Sequence, residues 1–151
     1  MDRIDFALLE HLQRDGRASN KELAAEVGLS ASSCHERLKR LNGAGVIKGV
    51  HAALDPRAVG VGLEAMISLQ LRDQSRMPDV WDGLLALREV RAVFHLAGAV
   101  DLLVHVAVRD ADHLREVAVM RVAVLPGIGH IETALVFDAV ERRALPLYAA
   151  P

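Results

Sequence analysis

Three stretches at the start of the chain carry apolar side chains at helical spacing. The first covers residues 2–14, the second follows Ser19, and the third runs from Ser30 to Asn42. Apolar residues three or four positions apart share one face of a helix, so each stretch predicts a short amphipathic helix. The residues expected to pack between these helices are Leu8, Leu12, Leu23, Val27, Leu29, Cys34, Leu38 and Leu41.

Polar residues mark where the second and third helices begin. Ser19 and Glu22 have the spacing of a capping box, and Ser30 is placed to cap the third helix. Gly28 and Leu29 leave room for only a tight turn between these two helices. Two helices joined by a short turn that contains glycine, with a third helix before them, form a helix-turn-helix unit.

The second half of the chain alternates strand and helix patterns. Residues 63–71 alternate apolar and polar side chains, which is typical of a strand with one buried face. The predicted elements are, in order, a strand over 63–71, a helix opened by Pro78, strands over 93–96 and 102–108, a helix capped by Asp110 and a strand over 131–140. This βαββαβ order predicts a ferredoxin-like sheet. Its helices cover one face, so we expect a second copy of the chain to bury the other.

The two patterns meet near residue 60, where Gly60 and Gly62 flank a joint. A short extended segment over residues 46–54 precedes this joint. We therefore expect a helix-turn-helix domain with a linker strand over residues 1–60 and a ferredoxin-like domain over residues 61–151. The predicted fold class is α+β, with a three-helix N-terminal domain and a four-stranded C-terminal domain.

Charge is distributed unevenly along the 151 residues. The formal net charge is −2, yet residues 30–48 carry an excess of three positive charges. Local charge determines a nucleic-acid footprint more than the total charge does. Aromatic residues make up only 3% of the chain, which opposes a protein that stacks single-stranded bases.

The single cysteine, Cys34, excludes an internal disulfide and gives no sign of an oxidising compartment. Its position on the apolar seam of the third helix predicts a core thiol without redox chemistry. The opening Met-Asp-Arg-Ile-Asp is unlike a signal peptide, and no apolar run approaches the roughly 18 residues of a membrane span. We expect a cytoplasmic protein with no membrane partner.

The third predicted helix shows hydroxyl, imidazole and cationic groups outside its narrow apolar seam. Such a helix fits the major groove of DNA, where these side chains meet base edges and phosphates. The candidate DNA-binding residues are Ser30, Ser32, Ser33, His35, Arg37, Lys39 and Arg40. The alternative is a packing or protein-interaction module whose basic face is only solvated.

Several short motifs follow one another along the whole chain. They are Asp2-x-x-Asp5, Asp15-Gly16-Arg17-x-Ser19, Val27-Gly28-Leu29-Ser30, Cys34-x-x-Arg37-Leu38, Gly45-Val46-Ile47, Gly98-x-x-Asp101 and Leu125-Pro126-Gly127-Ile128. In this order and spacing they resemble the Lrp/AsnC (feast/famine) family of transcription regulators. The first five resemble the family's DNA-binding domain, and the last two resemble its RAM, or ligand-sensing, domain.

The resemblance implies a sequence-specific regulator of transcription whose assembly and DNA binding respond to a small effector, usually an amino acid. It also implies a homodimer that binds double-stranded DNA and assembles further, often to an octamer, with the effector between dimers near the Gly-x-x-Asp hairpin. The corresponding effector-binding candidates are Gly98, Ala99, Val100, Asp101, Ala134, Leu135 and Val136. Ala97 and Val100 stand where the family often has a threonine and an aromatic residue, so we expect a less polar pocket.

Two interpretations of Asp101 remain open, since its carboxylate could hold an effector's ammonium group or only cap the hairpin turn. The alternative function is a ferredoxin-like protein- or RNA-interaction module without effector binding, although the strands lack the aromatic side chains that stack RNA bases. The seven histidines are scattered, and no acid–base pair stands out. We therefore expect no catalysis, metal or cofactor.

Overall fold

The structure, a computed structural model, describes residues 1–148. Contacts divide the chain into two compact units. The helical unit comprises Met1–Ala53 together with the C-terminal stretch that begins at Val140, and the sheet unit comprises Leu54–Ala139. The domain boundary expected near residue 60 concerns independent folding and stays a prediction.

The helical unit contains the three predicted helices, α1 (Arg3–Arg14), α2 (Asn20–Glu26) and α3 (Ala31–Gly43). The predicted capping box of α2 is confirmed, because the Ser19 hydroxyl accepts from the Glu22 amide and the Glu22 carboxylate accepts from the Ser19 amide. The predicted cap of α3 is also confirmed. These caps satisfy backbone donors that short helices would otherwise leave unpaired.

The helices pack around a small apolar core. Leu8, Leu23, Ala24 and Cys34 are buried at its centre. The partly buried residues around them are Ile4, Leu12, Ala18, Val27, Leu29 and Leu38. Cys34 therefore occupies a core position, as predicted, and burial raises the pKa of its thiol.

Residues 46–54, predicted as an extended segment that serves as a linker strand, form no strand in the structure. A strand needs a neighbouring strand to take up its backbone hydrogen bonds. The rest of the helical unit contains no strand within the described residues, so this segment has no pairing partner in its own unit. Val50 and Leu54 are accordingly left exposed.

The sheet unit has the predicted βαββαβ order. Its elements are β1 (Leu63–Leu71), α4 (Met77–Leu85), β2 (Val90–His95), β3 (Leu102–Val108), α5 (Ala111–Arg115, continued by a π-helical stretch over Glu116–Val122) and β4 (Ile128–Val136). The strands form one antiparallel sheet in the order β2-β3-β1-β4. The ferredoxin-like prediction is thus confirmed.

The predicted limits of the last strand are wrong. The apolar run predicted a strand over 131–140, whereas β4 starts at Ile128 and ends at Val136. Pairing with β1 sets these limits, because Leu71 lies opposite Ile128 and Glu64 lies opposite Val136. Only Leu63 of β1 lies beyond the Glu64–Val136 pair, and it pairs with β3 alone, so the apolar residues after Val136 lie outside the sheet.

One face of the sheet carries the core of this unit. Alternate residues of β1 and β3 are fully buried and pack against helix residues such as Val80, Leu84 and Val117. The opposite face, which we call the open sheet face, carries Glu64, Met66, Ser68, Phe94, Leu103, His105 and Ala134. The Glu64 carboxylate on this face lies 2.7 Å from His105 Nε2 and 3.2 Å from Arg91 Nη1.

A buried carboxylate links α5, the second helix of the sheet unit, to the sheet. Glu89, just before β2, lies 3.2 Å from His113 Nε2 and 3.5 Å from Arg121 Nη1. Burial raises the pKa of Glu89, but hydrogen bonds from its own backbone, Arg88 and His113 outweigh this and leave the pKa lowered. His113, one of the histidines that look scattered in the sequence, is thus a structural partner of Glu89.

Candidate functional site: the nucleic-acid interface and the β2–β3 hairpin

The predicted DNA-reading helix, α3, is held to the helical unit by a narrow seam. Cys34 and Leu41 are buried, and Leu38 is partly buried between them. The Asn20 side-chain amide also donates to the Ala31 carbonyl at 2.8 Å, which ties the start of α2 to the start of α3. The remaining surface of α3 faces away from this seam.

The three serines at the start of α3 have different tasks. The Ser30 hydroxyl accepts from the Ser33 amide at 3.2 Å and lies 3.1 Å from the Ser32 hydroxyl and 2.9 Å from the Ser33 hydroxyl. Ser30 therefore serves first as the helix cap. Ser32 and Ser33 are exposed, and their hydroxyls remain able to turn towards a partner.

His35 and Lys39 project from the exposed surface of α3. Neither side chain makes an ion pair or hydrogen bond with the part of the chain that the structure describes. Together with Ser32 and Ser33 they lie on the exposed surface of α3, which we call the polar ridge and which also carries the exposed carboxylate of Glu36. Hydroxyl, imidazole and ammonium groups on one helix surface match what base edges and phosphates accept from a protein.

The two arginines of α3 lie in a different environment, a cluster with the start of α1. Arg37 Nη1 donates to Asp2 Oδ2 at 2.6 Å and to Asp5 Oδ1 at 2.8 Å. Arg40 Nη2 donates to both oxygens of Asp5 at 2.8 Å. We call these four residues the α1–α3 ion cluster.

Asp5 is the buried centre of this cluster. Its side chain is 1% exposed, and the Asp2 amide also donates to it at 2.9 Å. Burial raises the pKa of Asp5, but the hydrogen bonds from the Asp2 amide and Arg37 outweigh it and hold the pKa below its ordinary value of 3.8. A charged, buried carboxylate with this many donors fixes the position of α3 against α1.

Helical spacing alone predicts Arg37 and Arg40 on the DNA-facing surface and does not reveal this cluster. A signal for it exists, because Asp5 lies three and four residues before Leu8 and Leu9 on the apolar face of α1. A carboxylate among core positions needs a cationic partner. Which cation supplies it depends on how α3 crosses α1, which local spacing does not determine.

Asp101 lies at the end of the hairpin between β2 and β3, and both of its oxygens accept hydrogen bonds from its own chain. The Leu71 amide donates to Oδ2 and the Gln74 side-chain amide donates to Oδ1, both at 2.7 Å. These two bonds, with a smaller contribution from His95, lower the pKa of Asp101. The hairpin itself is tied down further, since Gln70 Nε2 donates to the Ala99 carbonyl at 2.6 Å.

The predicted effector residues form two groups that one chain does not bring together. Residues 98–101 lie beside the end of β1, where Asp101 contacts Leu71. Residues 134–136 pair with the beginning of β1, where Leu135 lies opposite Ala65. At about 3.3 Å per strand residue, these places are roughly 20 Å apart. A pocket that uses both groups needs a contribution from another copy of the chain.

Within residues 1–148, no helix is long and apolar enough to cross a membrane, and no cluster of three metal-ligating side chains exists. A groove of about 510 Å³ lies over α5, lined by residues such as Arg109, His113 and Met120. None of the predicted effector residues lines this groove.

A helix-turn-helix with an exposed polar reading helix, on the same chain as a ferredoxin-like sheet, defines a DNA-binding regulator with a separate ligand-binding domain. The family comparisons agree: residues 1–42 match the AsnC-type helix-turn-helix domain, and residues 64–146 match the Lrp/AsnC ligand binding domain. The chain belongs to the Lrp/AsnC family of transcriptional regulators.

Curated relatives cover nearly the whole chain. The HTH-type transcriptional regulator AldR of Mycobacterium tuberculosis is 37% identical over 149 residues, covering 97% of this chain and 83% of the relative. The leucine-responsive regulatory protein of Escherichia coli K12 is 33% identical over 146 residues, covering 94% of this chain and 88% of the relative.

Solved structures confirm the fold. A transcriptional regulator from Neisseria meningitidis in complex with L-Met has a TM-score of 0.87 at 28% identity, covering 94% of this chain and 93% of that one. Escherichia coli AsnC has a TM-score of 0.87 at 26% identity, with coverage of 96% and 97%. The helical and sheet units are therefore those of a known regulator architecture.

The α1–α3 ion cluster predicts a pH-dependent stability of the helical unit. Because the pKa of folded Asp5 lies below the ordinary 3.8, its contribution is complete above that value and is lost as pH falls through the folded pKa. We expect Asp5→Asn to lower the free energy of unfolding by about 2–3 kcal/mol near neutral pH. This is below the roughly 3–5 kcal/mol of a fully buried pair, because Arg40 reaches solvent.

Urea unfolding followed by circular dichroism, repeated from neutral to acidic pH, measures this difference. The matched control is Glu10→Gln, since Glu10 is an exposed carboxylate on the same helix; it is expected to change stability by less than about 0.5 kcal/mol. The loss caused by Asp5→Asn should shrink in acid. A loss that is the same at every pH would contradict the charged state assigned to Asp5.

Proposed function

We propose that the chain reads DNA through the exposed polar ridge of α3 and changes its assembly when an amino acid binds beside the β2–β3 hairpin. The observation that carries the first part is the exposure of Ser32, Ser33, His35 and Lys39 on a helix whose opposite side is locked to the helical unit. A rigid helix that presents donors meets the geometric requirement for major-groove recognition.

The ridge side chains take different roles in this proposal. Ser32, Ser33 and His35 reach base edges, which distinguish one sequence from another. Lys39 contacts a backbone phosphate, which contributes affinity without sequence preference. The Ser30 hydroxyl keeps its place as the helix cap and acts on DNA only through the helix that it stabilises.

Two copies of the helix are needed for a palindromic operator, with centres about one helical turn of DNA, or roughly 34 Å, apart. The open sheet face supports pairing of copies, because Met66, Phe94 and Leu103 form an apolar strip that the unit's own helices do not cover. Phe94 is 48% exposed in the single chain. In our proposal dimers formed in this way assemble further, up to an octamer.

The effector is proposed to be an amino acid. The Neisseria meningitidis neighbour in complex with L-Met supports this chemical class. In this chain Asp101 is already bonded to Leu71 and Gln74, so its main task is to hold the hairpin in shape. Each carboxylate oxygen keeps a second lone pair for an ammonium group. Residues 134–136 of a neighbouring copy would complete the pocket.

Effector binding alters DNA binding through population shift. A ligand that fits one contact between copies better than another favours the assembly that contains that contact. The chain in this proposal acts in the cytoplasm and performs no catalytic step. Its output is the number and spacing of α3 helices that are presented to DNA.

DNA reading is tested with duplexes enriched from a random-sequence pool. Loss of one phosphate contact lowers the slope of log affinity against log salt by about 0.9. We expect this change for Lys39→Ala. The matched control is Arg115→Ala, which removes an exposed cation from the sheet unit and should leave the slope unchanged. Failure to enrich any duplex, or an unchanged slope for Lys39→Ala, would contradict the proposed interface.

Effector binding is tested by a thermal-shift screen against the twenty common amino acids. A ligand that binds only the folded state raises the melting temperature. We expect at least one amino acid to do so, and Asp101→Ala to abolish the shift. Gln74→Ala removes one bond to Asp101 but leaves its charge, so it should keep the shift. A full shift in Asp101→Ala would exclude a role for this carboxylate.

A further inference from the structure

The three cations of α3 have different surroundings. Lys39 is exposed and unpaired within residues 1–148. The Arg37 side chain is 24% exposed, and its guanidinium is directed towards α1. The Arg40 side chain is 61% exposed although it also bonds α1. Within the described residues, α3 therefore carries an unpaired cation in Lys39, an enclosed one in Arg37, and one that is paired but still exposed in Arg40.

Arg37 is committed to the α1–α3 ion cluster. Its Nη1 group bonds two different carboxylates, Asp2 at 2.6 Å and Asp5 at 2.8 Å. These bonds raise the pKa of Arg37. Its Nη2 and Nε groups also lack a hydrogen-bond partner within the described chain, but its side chain is only 24% exposed, against 61% for Arg40, so a phosphate reaches it less easily.

Arg40 uses only one of its nitrogens in the cluster. Its Nη2 group spans both oxygens of Asp5, each at 2.8 Å. The Nη1 and Nε groups have no hydrogen-bond partner within the described chain. An arginine has five N–H donors in a rigid plane, so three donors of Arg40 remain in a fixed orientation.

We propose that Arg40 is a bridging arginine, which Asp5 holds by Nη2 while Nη1 donates to a phosphate of the DNA backbone. Asp5 is then a positioning residue for DNA binding, and Arg37 is an internal anchor that touches no DNA. This inference rests on the proposed function, since it needs α3 at the DNA surface.

The benefit of the bridge is pre-organisation. A free arginine side chain must give up many rotamers when it grips a phosphate, whereas Asp5 has already restricted Arg40. Because Nη2 belongs to both two-donor edges of the guanidinium, the bonds to Asp5 leave Nη1 free for a single contact with a phosphate. Arginine suits this double task because its fork can serve two anions at once.

Long-range electrostatics alone predicts that replacing Asp5 strengthens DNA binding, which is the opposite of what the bridge predicts. Removing a negative charge near DNA raises the local positive potential, so Asp5→Asn should then tighten binding. The bridge predicts weaker binding, because Arg40 loses its hold. A purely structural role of Asp5 predicts weaker binding whether or not Arg40 is present. A double-mutant cycle separates these three possibilities.

The experiment uses the full chain and a labelled 30-base-pair duplex of mixed sequence, since phosphate contacts do not depend on sequence. Affinity is measured across a salt series for the wild type, Arg37→Ala, Arg40→Ala, Asp5→Asn and the double variant Asp5→Asn/Arg40→Ala. Circular dichroism at each condition establishes that the variants are folded.

We expect Arg40→Ala to lower the salt slope by about 0.9 and the affinity about eightfold at 0.1 M salt, the effect of one phosphate. Arg37→Ala should lower the melting temperature and leave the slope unchanged. Asp5→Asn should weaken binding in the wild-type background and weaken it by a smaller factor in the Arg40→Ala background, where only its bond to Arg37 is lost.

An unchanged slope for Arg40→Ala would overturn the bridge, and this result needs no change at a buried site. If Asp5→Asn weakens DNA binding equally in both backgrounds, Asp5 has only a structural role. If Asp5→Asn tightens DNA binding, long-range electrostatics explains its effect and the bridge is wrong. If the wild type binds the duplex without salt dependence, the proposed function fails as well. If wild-type affinity falls with salt as expected and Arg40→Ala leaves the salt slope unchanged, the bridge is wrong and the proposed function stands.

Discussion

The helical unit depends on one buried charge, the carboxylate of Asp5. It is 1% exposed and is surrounded by donors from the Asp2 amide, Arg37 and Arg40. A charge in such a place is tolerated only when its partners are held in position. The same requirement fixes α3, because both arginines come from this helix. The short helices, which are marginal alone, gain a specific arrangement as well as a core.

The sheet unit has one face that a single chain buries and another that it leaves exposed. One face of the sheet is a finished core that includes Ile67, Val104 and Leu84. The open sheet face stays exposed in a single copy, and the two groups of predicted effector residues lie apart there. In the proposed mechanism, contacts between copies cover these surfaces, and an effector favours one such contact over another.

Features that depend on near neighbours in the chain could be predicted from the sequence. The caps at Ser19 and Ser30, the limits of β1 and β3, and the βαββαβ order rest on spacing within a few residues. The limits of β4 depend on its register with β1, and the surroundings of Arg37 depend on how α3 crosses α1. Both are long-range relationships, so local patterns placed β4 too late and did not reveal the bonds of Arg37 to α1.

The charged state of Asp5 is the point on which this account of the recognition helix depends. Carboxyl-carbon NMR of the full chain, followed through an acid titration, measures the pKa of this one group. The account predicts a pKa below the ordinary value of 3.8, because the donors around the carboxylate outweigh its burial. A pKa at or above 3.8 would contradict it, since the donors from Asp2, Arg37 and Arg40 would then not outweigh the cost of burying the carboxylate.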